Sequence, residues 1–483
     1  GSPLKGRMMP QEKYESSLIS SFWNVETSGQ TASYGGTGKT TAEMHMAKTF
    51  LDAGWDFLGE TANGTEDIWK IAEGLAYPRL AWEKYSGGTG EPNDPYQIAT
   101  AADLIALGET PEDYDKHFIL TADIDLDPNL PGRKVFDRAV IAPDTNDVGS
   151  WFEGTAFAGV FDGDGHVISR LTINGGHYVN LGLFGQLAPG GEVKGLGVVD
   201  VNITGGIRGA GALCASNLGS IRTSYSTGSV SGSSNGLRSS FGGLVAGNFG
   251  TIAQCYSHAS VSSDLSVGGL VGINLGNLVD SYSTGLVRGP GSGGGLVGTD
   301  TPFVPVLNMG PPVGTASGCF WDIETSGRTT SDGGEGKTTA EMQTASTFLD
   351  AGWDFVGETV NGPNDVWKIA EGLDYPRLWW EPYDGRVTVV LGQVFTVTLE
   401  SNPSTGYRWE WVDHQDSIVE QMGEAQFTPR ETGDPPLVGA GGWESFDFKA
   451  VHPGQMTLKL VYRRPWEEGV EPLKTFSLQV TVP

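Results

Sequence analysis

The chain has 483 residues, enough for about three domains of about 150 residues each and ample to bury a core. Asp and Glu number 58 against 30 Lys and Arg, a net charge of −28 that disfavours nucleic-acid backbones and anionic membrane surfaces and leaves metal cations or cationic partners as the electrostatic fit. Gly is 72 of 483 without a collagen period, charged residues are 18%, and three cysteines (Cys214, Cys255, Cys319) make no complete disulfide framework, so the composition points to a turn-rich β protein.

The first residues, Gly1-Ser2-Pro3-Leu4, read as an expression scar, and residues 1–21 are expected to be tag or linker. No apolar run is long enough for a transmembrane helix, so no membrane insertion is expected. No signal peptide is visible, and a secreted or cell-surface location is inferred from composition alone.

Residues 22–84 form a segment that returns later. Phe22 to Glu83 recurs as Phe320 to Glu381 at a constant offset of 298, with roughly three quarters of positions identical. Both copies read ETSG, GKTTAEM, FLDAGWDF, WKIAEGL, YPRL and WE in order. A short helix is expected over Thr41 to Ala53 and over Thr339 to Ala351. Thr40 or Thr41 suits the N-cap, Glu43 the first turn and Gly54 the stop. Nine of the 14 Trp lie in these two copies, which fits capping of an apolar coil end better than sugar stacking. Gly35-Gly36-Thr37-Gly38-Lys39-Thr40 is similar to a P-loop, but Ser33 stands where the first Gly belongs and no strand leads in. A turn into the helix cap is the stronger reading.

Residues 85–319 carry a second repeat. Leu213, Leu244, Leu270 and Leu296 sit in G-G-L-V-like frames spaced 31, 26 and 26 apart, with Leu183 30 residues earlier. Asn217, Asn248 and Asn274 keep step, as do Tyr225, Tyr256 and Tyr282. The extra residues of the longest interval fall in Ser233 to Ser240, as one loop of a stacked coil tolerates. Such a period suits one turn of a parallel β-solenoid, with Leu and Val inward and Asn and Tyr in ladders along the axis. The frames resemble the GLUG motif of bacterial surface proteins. That resemblance implies a right-handed parallel β-helix, opened by Asp94 to Leu126 and continued by Phe157 to Ser169. Residues 320–381 then read as its C-terminal cap. The first copy becomes the cap of a preceding solenoid, or a cap packed on the next coil.

Two acidic sets in this region invite chemistry. Asp123, Asp125 and Asp127 alternate and could bind Ca²⁺, but the Gly and terminal Glu of an EF-hand are missing, so strand-edge carboxylates are the plainer reading and no cofactor is expected. Asp162, Asp164, His166 and Arg170 are the one compact set suited to a polysaccharide-cleaving enzyme, yet the solenoid pattern already accounts for them, and the chain is expected not to be an enzyme. Cys255 reads as a buried small residue.

Residues 386–483 change texture. Val387–Leu391, Val394–Leu399, Tyr407–Val412, Glu444–Ala450, Met456–Tyr462 and Phe476–Val482 alternate as strands of an immunoglobulin-like β-sandwich. Three loops stand out: Asn402-Pro403-Ser404-Thr405-Gly406-Tyr407, Gly439-Ala440-Gly441-Gly442 and Arg464-Pro465-Trp466. They are similar to the NPTTG-aromatic, GxGG and RPW signatures of chagasin-like (I42) inhibitors, in order, with Ser404 in place of the usual first Thr. The resemblance implies that these loops cluster at one end. Asn402, Pro403, Ser404, Thr405, Gly406 and Tyr407 would enter the catalytic centre of a papain-like cysteine protease. Gly439, Gly441, Gly442, Arg464, Pro465 and Trp466 would grip the cleft walls, without a covalent step. The fold class is therefore all-β, and the leading function is a protease-inhibitor head on a solenoid stalk. An adhesin or structural surface protein, whose solenoid binds glycan or neighbouring chains, is the alternative.

Overall fold

A computed structural model of the chain describes residues 20–71, 73–74, 76–81, 83–145, 152–176, 180–206, 208–233, 239–289, 293–299, 314–356, 360–370, 372, 374–381, 386–412, 417–429, 441–466 and 472–483. The region from Tyr96 onward is a parallel β-solenoid. Its short strands stack into parallel sheets of 11, 8, 5 and 4 strands. The G-G-L-V frames explain why. Leu183, Leu213, Leu244, Leu270 and Leu296 all point inward and are fully buried. The glycines let the coil turn its corner: a Cβ on Gly268 would lie 2.0 Å from the Val271 carbonyl oxygen, so no side chain fits there.

The predicted ladders are present and in register. Strands Cys214–Asn217, Val245–Asn248 and Val271–Asn274 pair so that the three asparagines align. The Asn217 amide donates to Asn248 Oδ1 at 2.8 Å, and Asn248 donates to Asn274 Oδ1 at 2.8 Å and to the Asn277 carbonyl at 3.2 Å. All three are buried, so each lost bond strands a polar group away from water. Asn248→Ala is expected to cost about 2–3 kcal/mol in urea unfolding, because buried Asn217 loses an acceptor and buried Asn274 a donor. An unchanged unfolding midpoint would show that the ladder contributes nothing.

The second Trp-rich copy both extends the stack and runs back along its flank. Strand Phe320–Asp322 pairs with Tyr282–Ser283, and Glu335–Lys337 pairs with Phe320–Asp322. Beyond them the chain lies over the tyrosines. Tyr225 stacks on Tyr256 at 4.9 Å and Tyr256 on Tyr282 at 5.0 Å, the rings nearly parallel. Trp353 and Trp367 cover Tyr282 and are themselves fully buried. Trp380 reaches further back, to Tyr225 and to Gly165. The tyrosines thus belong to a second apolar cluster, outside the solenoid interior.

A polar seam closes this interface. The Tyr256 hydroxyl donates to Glu381, and Arg377 lies beside both. Burial pushes the Glu381 carboxyl up, against the pull of Arg377. His258 sits among Tyr256, Tyr282 and Tyr375, with Nδ1 on Thr284 Oγ1 and Nε2 buried without a hydrogen-bond partner among the described residues. Burial, reinforced by Arg377, holds its pKa well below the ordinary value. The unfolded chain therefore binds the extra proton first. The stability that neutral His258 contributes is complete above about pH 6.5 and is lost as pH falls below it. Relative to His258→Gln, the wild type is expected to lose stability as the pH falls from 7 to 5 in paired denaturation curves. The comparison cancels the opposite contribution of Glu381, which is lost as pH rises. A pH-independent gap between the two proteins would remove His258 from the balance.

The helix expected from Thr41 to Ala53 is two helices, Thr41–Met44 and Ala47–Leu51, and its counterpart is Thr339–Met342 and Ala345–Leu349. Thr40 is the N-cap and forms a capping box with Glu43. The break follows His45, whose carbonyl accepts from Gly74 instead of from a further turn. Gly54 then turns with φ +86°. An unexpected helix, Ala101–Gly108, opens the solenoid under a Thr100–Asp103 capping box.

The features that tempted chemistry find structural partners. The amide of Thr41 donates to Glu26, and Lys39 pairs with Glu43, so the P-loop-like segment is a strand and cap held by carboxylates. Asp123 accepts from Val167 N–H beside His166, Asp125 pairs with Arg170, and Asp162 pairs with Lys194 at 2.9 Å. Asp162, His166 and Arg170 thus engage three separate partners and do not converge. Burial pushes the Cys214, Cys255 and Cys319 thiols up to about 12. No helix among the described residues is long and apolar enough to cross a membrane.

Candidate interface: three loops at one end of the sandwich

Two four-stranded sheets make the C-terminal sandwich. One orders Arg386–Thr388, Lys474–Val482, Gly454–Arg463 and Arg408–Val412. The other joins Val394–Ser401, Gly442–Ala450 and Val419–Gln421, with Gln426–Pro429 also on Gly442–Ala450. Phe395, Val397, Phe446, Phe448, Leu458, Leu460 and Val480 fill the space between them.

Strand register brings the loops together. Ser401 pairs with Gly442, so the loop that leaves at Asn402 starts where the Gly-rich loop arrives. Arg408 pairs with Arg463, so that same loop ends where Arg464-Pro465-Trp466 begins. Gly439 and Ala440 lie outside the described residues. Gly441 sits against Ser401, its added Cβ falling 3.3 Å from the Ser401 carbonyl oxygen.

The first loop is a tight knot. Pro403–Thr405 make one 3-10 turn, and Gly406 ends it with φ +81°. Thr405 N–H and its hydroxyl both donate to the Asn402 carbonyl, and Ser404 donates to Asn402 Oδ1 at 2.6 Å. Ser404 therefore does with its hydroxyl what the usual Thr could do.

The third loop clasps the first. Arg464 donates to the Thr405 carbonyl at 3.1 Å, and its guanidinium lies 4.5 Å above the Tyr407 ring. Trp466 lies over Gly406, where an added Cβ would fall 2.5 Å from the indole, yet the side chain is 68% exposed. The sequence reading missed Tyr462. Its ring stacks on Tyr407 at 5.3 Å, and its hydroxyl accepts from Asn402 N–H at 2.7 Å. The available signal was the alternation Leu458, Leu460, Tyr462, which puts an inward aromatic two residues before Arg464. It also missed Leu473, 60% exposed, and Lys474, which with Asn402, Tyr407, Gly442 and Arg464 line an open recess of 470 Å³.

Residues 388–480 match the Chagasin family peptidase inhibitor I42. Over 83 residues the chain is 35% identical to chagasin of Trypanosoma cruzi, covering 17% of this chain and 73% of chagasin. The chain belongs to the chagasin family of peptidase inhibitors. The family membership rests on its C-terminal domain. A crystal structure of a cysteine protease inhibitor from Entamoeba histolytica is also similar, at 26% identity and TM-score 0.19, over 20% of this chain and 86% of that one. Another likeness has a different partner: 153 residues, 30% of this chain, are 34% identical to halomucin of Haloquadratum walsbyi. The chain spans 2% of halomucin's length.

Proposed function

We propose that the chagasin-family domain inhibits papain-like cysteine proteases reversibly, by wedging Asn402–Tyr407 into the active-site cleft while the Gly441–Gly442 and Arg464–Trp466 loops grip its walls. The observation that carries this reading is the clasp of Arg464 on Thr405 and Tyr407, with Trp466 over Gly406. A loop held in shape before binding loses little entropy on binding, so more of its contact energy becomes affinity. Exposed Trp466 and half-exposed Tyr407 and Arg464 are the residue types that dominate interfaces. No inhibitor nucleophile is needed, because a wedge acts by excluding substrate. The solenoid serves as the stalk that displays this head outside the cell or on its surface. Its Gly-, Ser- and Thr-rich coils and the likeness to halomucin support that setting.

The test is a papain titration with the whole chain. Wild type is expected to inhibit in the nanomolar range, and Trp466→Ala to be weaker by about tenfold or more. Equal potency of the two would contradict the wedge, and no inhibition by wild type would end the proposal.

A further inference from the structure

The Trp-rich segment occurs twice with one internal geometry and two surroundings. Trp55 and Trp69 lie 4.3 Å apart, and Trp353 and Trp367 lie 4.4 Å apart at almost the same angle. Phe50 sits 4.9 Å from Trp55, and Phe348 sits 4.7 Å from Trp353. Phe22 meets Phe50 edge-on at 5.1 Å, and Phe320 meets Phe348 at 5.3 Å. The module therefore keeps one internal packing in both surroundings.

The surroundings differ on one face. Trp353 and Trp367 are fully buried, whereas Trp55 and Trp69 are half-exposed. Ile68 is 40% exposed where Val366 is 6%. Tyr77 is exposed, whereas Tyr375 lies against Tyr282. In the second copy this face is the one that covers the tyrosine ladder. Part of its polar rim is retained as well. Lys70 donates to the Glu83 backbone carbonyl as Lys368 does to that of Glu381, and Glu83 is the sequence equivalent of Glu381, whose carboxylate receives the Tyr256 hydroxyl.

One edge of the first copy is already engaged. Arg79 pairs with Asp103 of the following solenoid and with Ser86, and Lys84 pairs with Asp113 at 2.8 Å. The equivalent Arg377 instead holds Asp374 and reaches the Tyr256 hydroxyl. Ala76 replaces that Asp in the first copy, which leaves Arg79 to Asp103. The two copies thus share the aromatic packing of this face and differ at two polar partners behind it, Asn24 for Asp322 and Ala76 for Asp374.

We propose that residues 22–83 are a connector: one edge holds the solenoid that follows, and the aromatic face around Trp55, Trp69 and Tyr77 receives the tyrosine-laddered flank of another β-solenoid. The recognised chemistry is a row of tyrosines stacked one coil apart, as at Tyr256 and Tyr282, with a hydroxyl directed at Glu83. This chain's own ladder is covered by its second module, so a second copy is not the occupant. The proposal is independent of the inhibitor reading.

The test replaces residues 320–381 by the sequence of 22–83 in the full chain, a substitution of equal length. A second version of this chimera also carries Asn24→Asp and Ala76→Asp within the inserted sequence, restoring the partners that Asp322 and Asp374 provide. Nitration of Tyr256 and Tyr282 by tetranitromethane, mapped by mass spectrometry, reads whether the ladder is covered. The full chain with Trp353→Ala and Trp367→Ala is the open reference and is expected to be nitrated about tenfold faster than wild type. Protection of both tyrosines in either chimera supports the connector. Nitration at the open-reference rate in both chimeras overturns it. A wild-type dimer that Trp69→Ala dissociates would assign the face to a second copy and overturn it too.

Discussion

Gly406→Ala is expected to weaken inhibition of papain by about 100-fold while the sandwich stays folded. Two costs add. The backbone at Gly406 has φ +81°, where a residue with a Cβ is strained by about 1–2 kcal/mol. That Cβ would also fall 2.5 Å and 2.9 Å from two indole carbons of Trp466, so the ring has to leave its place over the loop. Together these amount to about 2.7 kcal/mol, or about two decades in affinity. Gly406→Asn separates them. Asn tolerates the left-handed region far better than Ala but still meets the indole, so it should recover only the backbone part. In the double variant with Trp466→Ala the steric part vanishes, and the two losses should fall short of additive. Inhibition constants for wild type, Gly406→Ala, Gly406→Asn, Trp466→Ala and the double variant, with a urea midpoint for each, decide the matter. If Gly406→Ala inhibits as well as wild type, the loop does not act in the shape it holds here.

The loops were legible in the sequence because their signatures are short and continuous. Pro403 and Gly406 announce a tight turn, and the structure supplies the 3-10 turn and the left-handed residue. The lock between the loops was not legible. Arg464 reaches Thr405 across 59 positions, and Tyr462 reaches Asn402 across 60. Nothing in the local texture of either loop says which partner the other will meet. Only the register of Ser401 on Gly442 and Arg408 on Arg463 determines that, and register is a property of paired strands.

The solenoid was more transparent, since a repeat writes its own register along the chain. Equal spacing of Asn217, Asn248 and Asn274 is enough to place them side by side. The same reasoning stacked Tyr225, Tyr256 and Tyr282 but said nothing about what would cover them. A tyrosine ladder on the outside of a coil is stable only beneath other apolar groups, and those groups arrive from 38 to 98 residues beyond Tyr282, from Phe320 to Trp380. Helix Ala101–Gly108 was hidden for a different reason. Its eight residues sit between strands of the first coils, too short for a helical period to outweigh the strand pattern around it.

The duplication allows one substitution to be made twice in the same molecule. Trp367→Ala is expected to cost about 3–5 kcal/mol, the range for deleting a fully buried indole. Trp69→Ala, at the equivalent position with the same Trp neighbour 4.3 Å away, is expected to cost about 1–2 kcal/mol, since a half-exposed ring gives up less apolar area. Hydrogen exchange, followed at the rungs that each module touches, reads the two modules separately within one chain. Trp367→Ala should speed exchange through Tyr256 and Tyr282, and Trp69→Ala should leave those rungs unchanged. Equal costs at the two sites would mean that the module's own packing, and not the ladder beneath it, holds the indole. Unequal costs would measure what a tyrosine ladder adds to a module whose internal contacts are already complete.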